Sequence, residues 1–114
     1  MAEFFMTDNL VQFSRKAEWQ NSQILVIYDG TVHVGAKVVG RIDNGVDAEV
    51  LNITLTHFGA SVGLDVHRVG VDNKYLDLTI SADISGNDVR ITIQNNQALE
   101  NNTFEYYIAP ITNG

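Results

Sequence analysis

Residues 23–58 constrain this chain more than any other stretch. They hold three runs of β-forming residues, 23–28, 31–42 and 46–58, separated only by Asp29-Gly30 and by Asp43-Asn44-Gly45. Short links of Asp, Asn and Gly supply the positive φ angles of tight hairpins, so the spacing predicts two antiparallel hairpins in series. In the middle run Val32, Val34, Ala36 and Val38 share one face, and Thr31, His33, Gly35 and Lys37 the other. A period of two is the mark of a half-buried strand.

The same period recurs downstream. In 61–69, Val62, Leu64 and Val66 alternate with Gly63, Asp65 and His67; in 74–82, Leu76, Leu78, Ile80 and Ala82 oppose Asp77, Thr79 and Ser81. Ser85-Gly86-Asn87-Asp88 reads as a hairpin turn into 89–94, where Val89, Ile91 and Ile93 point inward. Residues 95–102 are polar and read as an exposed loop before a last strand, 103–111, with Phe104, Tyr106 and Ile108 on one side. In 46–58 the inward set changes from Ala48 and Val50 to Leu51, Ile53 and Leu55, which predicts a β-bulge near Val50-Leu51. Seven or eight short strands and no helical pattern give an all-β class, an antiparallel β-sandwich of jelly-roll-like type. Its core is expected to unite Leu76, Leu78, Ile80, Ile91 and Ile93.

Residues 1–22 fit neither period and form either an N-terminal arm or a first strand, leaving 23–114 as the sandwich domain. Trp19, the sole tryptophan, is expected to anchor the core or a sheet edge. At 114 residues the chain is one domain by size. Its net charge of −7, with only seven basic residues, opposes contact with nucleic acid or an anionic membrane. The absence of cysteine removes disulfide and thiolate chemistry. The first residues lack the basic flank of a secretory signal, and no apolar run has the length of a membrane span, so a soluble protein made in the cytoplasm is expected.

Chemistry-bearing constellations are few. His33, His57 and His67 read as outward strand positions, with Asp65 beside His67, and no converging ligand set is expected from them. Asp43-Asn44-Gly45-Val46-Asp47-Ala48-Glu49 alternates oxygen-bearing residues but lacks the spacing of a calcium loop, so turn chemistry is the reading. Nucleophile elbows, phosphate-cradling glycine loops and paired acid–base carboxylates are missing from the sequence. The expectation is a non-enzyme without cofactor, metal or catalytic residues.

Five segments carry a resemblance. They are Ser14-Arg15-Lys16-Ala17-Glu18-Trp19-Gln20, Ala36-Lys37-Val38-Val39-Gly40-Arg41, Lys74-Tyr75-Leu76-Asp77-Leu78-Thr79-Ile80, Ser85-Gly86-Asn87-Asp88-Val89 and Glu105-Tyr106-Tyr107-Ile108-Ala109. Over residues 14–111 this order resembles a β-sandwich domain that recurs in virion proteins of tailed bacteriophages, in tail appendages or in capsid decoration. Tyr75 and Tyr107 stand where that family often has tryptophan, which makes the chain a divergent member. The resemblance implies a non-enzymatic virion structural protein, usually a homotrimer. Its partners would be further copies of itself and other virion proteins, such as the major capsid protein or a tail protein.

The acidic charge fits the particle exterior, and capsid decoration is the first expectation for location. A tail-fibre or appendage module that binds a receptor or carbohydrate is the alternative, with Tyr28, Tyr75, Tyr106 and Tyr107 as stacking candidates. Hydroxyls at Thr54, Thr56, Thr79, Ser81 and Thr92 leave the outward strand faces short of charge. The apolar N-terminal residues Phe4, Phe5, Leu10, Val11 and Phe13 are expected to bury against a neighbouring protomer or the particle.

Overall fold

Alternating residues become eight antiparallel strands in a computed structural model of the chain, which describes residues 14–97 and 101–112. They are β1 (Arg15–Trp19), β2 (Ser22–Asp29), β3 (His33–Asp43), β4 (Ala48–Phe58), β5 (Ser61–Gly70), β6 (Leu78–Ser85), β7 (Asp88–Asn95) and β8 (Asn102–Thr112). One sheet runs β1-β8-β3-β4-β5 and the other β2-β7-β6. The long-range pairs β1–β8 and β2–β7 close both sheets from the two ends of the domain, a crossing that jelly rolls share. The expected all-β sandwich therefore forms, with eight strands.

Its core is made by the inward sets that alternation predicts. Ala36, Val38 and Ile42 of β3, Leu51, Ile53 and Leu55 of β4, Val89, Ile91 and Ile93 of β7, and Phe104 of β8 have no accessible surface. Each of the larger side chains contributes about 1.5–3 kcal/mol by leaving water. Leu76 belongs to the same buried cluster, with Leu78 and Ile80 packed half-buried against it. Gly40 faces inward between Val38 and Ile42. A Cβ there would lie 2.5 Å from the Tyr106 Cβ and 2.7 Å from the ring of Phe104. The missing side chain makes room for the Phe104 and Tyr106 rings, stacked 4.8 Å apart at 12°.

Four expectations need correction. The first hairpin does not form: β2 pairs with β7, and β3 pairs with β4 and β8, so the link 30–32 crosses from one sheet to the other. A register shift between Val26 and Tyr28 puts the neighbours Ile27 and Tyr28 both inside. The Asp29 carboxylate then accepts from the Thr31 amide (2.8 Å) and hydroxyl (2.6 Å), while the Gly30 amide donates to Asn87 in the β6–β7 turn. This side-chain-capped turn lifts the strand out of its sheet. The three-strand meander is β3-β4-β5 instead.

The bulge near Val50-Leu51 is absent as well, because the ladders of β4 with β3 and β5 run without a break. Glu49, Leu51, Ile53 and Leu55 form one inward row and Val50 faces out; the change of parity in the apolar pattern comes from a buried glutamate at an inward position. The sixth strand begins at Leu78 rather than at residue 74, since Asp72 and Asn73 take positive φ and the Leu76 amide is engaged by a side chain. Finally, both ends of the 95–102 segment are buried. Asn95 bonds the backbone of Asn21 and Gln20 and so fastens the β1–β2 turn, and Asn102 is enclosed in β8 opposite Trp19. Trp19 is itself buried on the edge strand β1, as an anchor should be. Phe4, Phe5, Leu10, Val11 and Phe13 lie outside the described residues.

Candidate functional site

The histidines do not share one outward face. His57 continues the inward row of β4. Its Nε2 lies 3.1 Å from the Gly30 carbonyl and its Nδ1 lies 2.8 Å from the Tyr28 hydroxyl. A carbonyl can only accept, so Nε2 carries the proton and Nδ1 accepts from Tyr28. His33 meets Tyr28 edge-on with ring centroids 6.4 Å apart, and burial raises the Tyr28 pKa. The two rings thus brace the link between the sheets. His67 stands apart, exposed on the outer face of β5 opposite Asn52. Among the described residues no three metal-ligating side chains converge.

The strongest polar cluster was not anticipated. Glu49, enclosed inside β4, receives two hydrogen bonds from the Arg68 guanidinium and one from the Leu76 amide at 2.7 Å. Arg68 also donates to the Leu76 carbonyl at 2.7 Å and lies 5.5 Å from the Tyr75 ring centre. The Glu49 hydrogen bonds raise the Arg68 pKa against the opposing effect of burial. The circle is closed by structural partners, which makes it a clamp on the β5–β6 connection. Inward parity of Glu49 and Arg68 on adjacent strands was the signal for it. The calcium-like run is likewise used up by its own turn: Asn44 Oδ1 accepts from the Val46 and Asp47 amides, and Asp43 Oδ1 from that of Gly45.

What remains for contact with other molecules is surface. The outer face of the five-stranded sheet carries registered rows of side chains. One is His67, Asn52, Val39 and Tyr107; the next is Asp65, Thr54, Lys37 and Ala109. Tyr107 is 39% exposed there, and Tyr75 is 49% exposed beside the clamp. Tyr28 and Tyr106 are buried, which removes them as stacking platforms. At one end of this face Val50, Val69 and Val71 line a shallow apolar depression bordered by Arg41. Thr56 turns its hydroxyl to the Val34 carbonyl (2.7 Å), so part of the outward hydroxyl set is spent on backbone. A broad polar sheet with one exposed ring and an apolar margin can bind a partner; it offers no assembled acid–base pair.

Comparisons with known proteins agree with the fold. No protein-family model matches the sequence, and no curated protein does either. Among solved structures, the chain is similar to the tailspike protein of Acinetobacter phage vB_ApiP_P1, with a TM-score of 0.55 at 12% sequence identity. The match covers 94% of this chain and 24% of the tailspike, so the chain spans about a quarter of that protein's length. At this identity the likeness is one of fold.

Proposed function

We propose that this chain is a non-enzymatic structural module of a tailed-bacteriophage virion, exposed on the outside of the particle as part of a tail appendage. The observation that carries the reading is the fold match to a tailspike along 94% of the chain. Capsid decoration was the first expectation from sequence and stays the alternative location; the tail is our reading because the similar solved structure is a tailspike. A net charge of −7 suits an exterior position, away from packaged nucleic acid. The non-enzymatic reading is supported by the way Glu49, Arg68 and His57 are occupied with backbone and side-chain partners. The partners are further copies of the chain, as a homotrimer, and neighbouring virion proteins. The outer face bearing Tyr107, Asn52 and His67 is the contact surface for them or for a receptor.

Gold-labelled antibody against the folded chain, applied to purified particles and imaged by electron microscopy, tests this. Label at the tail is expected. Label spread over the capsid lattice would return the protein to decoration, and its absence from washed particles that do carry their other structural proteins would overturn the virion reading.

A further inference from the structure

The outer face of the larger sheet carries an apolar projection at one end and an apolar depression at the other. Phe58 ends β4 with outward parity, opposite Ser61, and is 91% exposed. Gly59 takes a φ of +62°, which turns the chain back within two residues and leaves the ring at the hairpin tip. Turns normally carry Asn, Asp or Ser, but neither Gly59 nor Ala60 has a polar side chain. Eight residues back along β4, Val50 lies opposite Val69 of β5. With Val71 they line the depression beside Arg41, and all three valines are exposed.

Projection and depression match in size. The depression holds about 170 Å³. An apolar cavity of about 150 Å³ is enough to take a benzene molecule, so the space suits one phenyl ring. Phe58 cannot fill the depression of its own chain, because a rise of about 3.4 Å per residue sets the two about 27 Å apart along β4. Complementary features that cannot meet within one chain specify a contact between copies. A ring of identical subunits needs such a pair, since each subunit offers one surface to the neighbour on one side and a different surface to the other.

Charge selects the arrangement. Stacking two copies face to face could seat both rings at once, about a two-fold axis midway between Val50 and Phe58. The row at that midpoint is Lys37, Thr54 and Asp65. The axis would set Lys37 against Lys37 of the second copy and Asp65 against its counterpart, and juxtaposed like charges oppose association. A head-to-tail contact brings together only the two apolar ends.

We propose that Phe58 of one copy inserts into the Val50, Val69 and Val71 depression of the next, head to tail. For the closure of three such contacts into a ring, the inference rests on the homotrimer reading above. Arg41 stands at the border of the depression, where its guanidinium can cover the face of the inserted ring. The rows of Asn52 and His67 between the two ends lie outside the contact.

Two substitutions in the full chain test this, both at exposed positions that the fold does not need. Phe58→Asp removes the projection, and Val69→Asp places a charge in the depression. Sedimentation velocity should give a trimer for the unaltered protein and monomers for each variant, with unchanged far-UV circular dichroism. Mixing the two variants should restore a dimer, because one retains an intact Phe58 and the other an intact depression. A trimer that survives either substitution, or a mixture that stays monomeric, would overturn the contact and leave the homotrimer reading standing. Longer oligomers that both substitutions dissolve would keep the contact and overturn the homotrimer. An unaltered protein that is monomeric at every concentration measured would overturn both, and an unaltered dimer would overturn the head-to-tail arrangement. Adding Val69→Asp to the monomeric Phe58→Asp chain should leave its melting temperature in place. A fall of several degrees would show that the chain's own residues fill the depression, which would also overturn the proposal.

Discussion

Glu49 and Arg68 are joined by two parallel hydrogen bonds, 2.5 Å from Nε to Oε1 and 2.8 Å from Nη2 to Oε2, with the carboxylate shut off from solvent. The pair spans neighbouring strands, and through Leu76 it holds the β5–β6 connection against the edge of the larger sheet. Removing one partner of such a pair strands the other charge. Glu49→Gln is expected to cost about 3 kcal/mol, the low end for buried pairs because the Arg68 side chain keeps 27% of its exposure. Urea denaturation measures this; a loss below about 0.5 kcal/mol would mean that water already solvates the guanidinium.

The core has a centre and a rim. Ile93→Ala, at a site with no accessible surface, should cost about 2–5 kcal/mol through lost transfer energy and the cavity left behind. Leu78→Ala, on the half-buried edge strand β6, should cost clearly less in the same denaturant series. Equal costs would show that β6 is as enclosed as β7.

Gly40 can be tested by adding one carbon. Gly40→Ala would drive a Cβ to 2.5 Å from both the Tyr106 Cβ and the Glu105 carbonyl, forcing β3 and β8 apart. Overpacking of this kind costs about 1–3 kcal/mol or more. Near-UV circular dichroism should change at the same time, since the stacked Phe104 and Tyr106 rings lie at the point of collision.

Tyr28→Phe removes the hydroxyl that His57 accepts from and should lower stability by about 1 kcal/mol, measured by denaturant unfolding. A chelator should leave the melting temperature of the unaltered protein where it was; a fall of several degrees would reveal a bound metal.

Hydrogen bonds from Arg90 hold the Asp83 carboxyl below its usual value of 3.8. A carboxyl with a lowered folded-state pKa stabilises the fold above the unfolded value, and that contribution vanishes as pH falls through the folded one. Asp83→Asn should therefore flatten the drop in melting temperature between about pH 5 and about pH 2. An unchanged acid limb would mean that the pair is screened by solvent.

Alternation made the inward faces of β3, β7 and β8 readable in advance, because apolar residues there recur every second position except at Gly40 and at the buried strand ends Asn95 and Asn102. It failed at Glu49 and Arg68, where inward parity is occupied by two opposite charges that satisfy each other; polarity alone pointed them outward. The crossing from β2 to β3 was illegible for another reason. Asp29-Gly30 announces a turn, but a turn signal does not state whether the next strand joins the same sheet or the facing one. That choice is made by the bulge at Val26/Tyr28 and by the Gly30 amide finding Asn87, contacts to residues far along the chain. Likewise Tyr28 and Tyr106 looked available for stacking until their ring partners, His57 and Phe104, were in place.

β8 lies between β1 and β3, so the last of the eight strands to be synthesised joins the first to the rest of its sheet. While the ribosome is still at work, β3, β4 and β5 can zip to one another, and β6 to β7, through short connections. β1 can do nothing until Asn102 and its successors emerge, and until then β3 presents a bare flank beside Val38 and Ile42. A chain whose translation stops early is left with an unpaired seam that chaperones and proteases can find. Pairing of β8 with β3 and β1 closes that seam. Completion of the larger sheet thus waits on the strand that lies in its interior rather than on one at its margin.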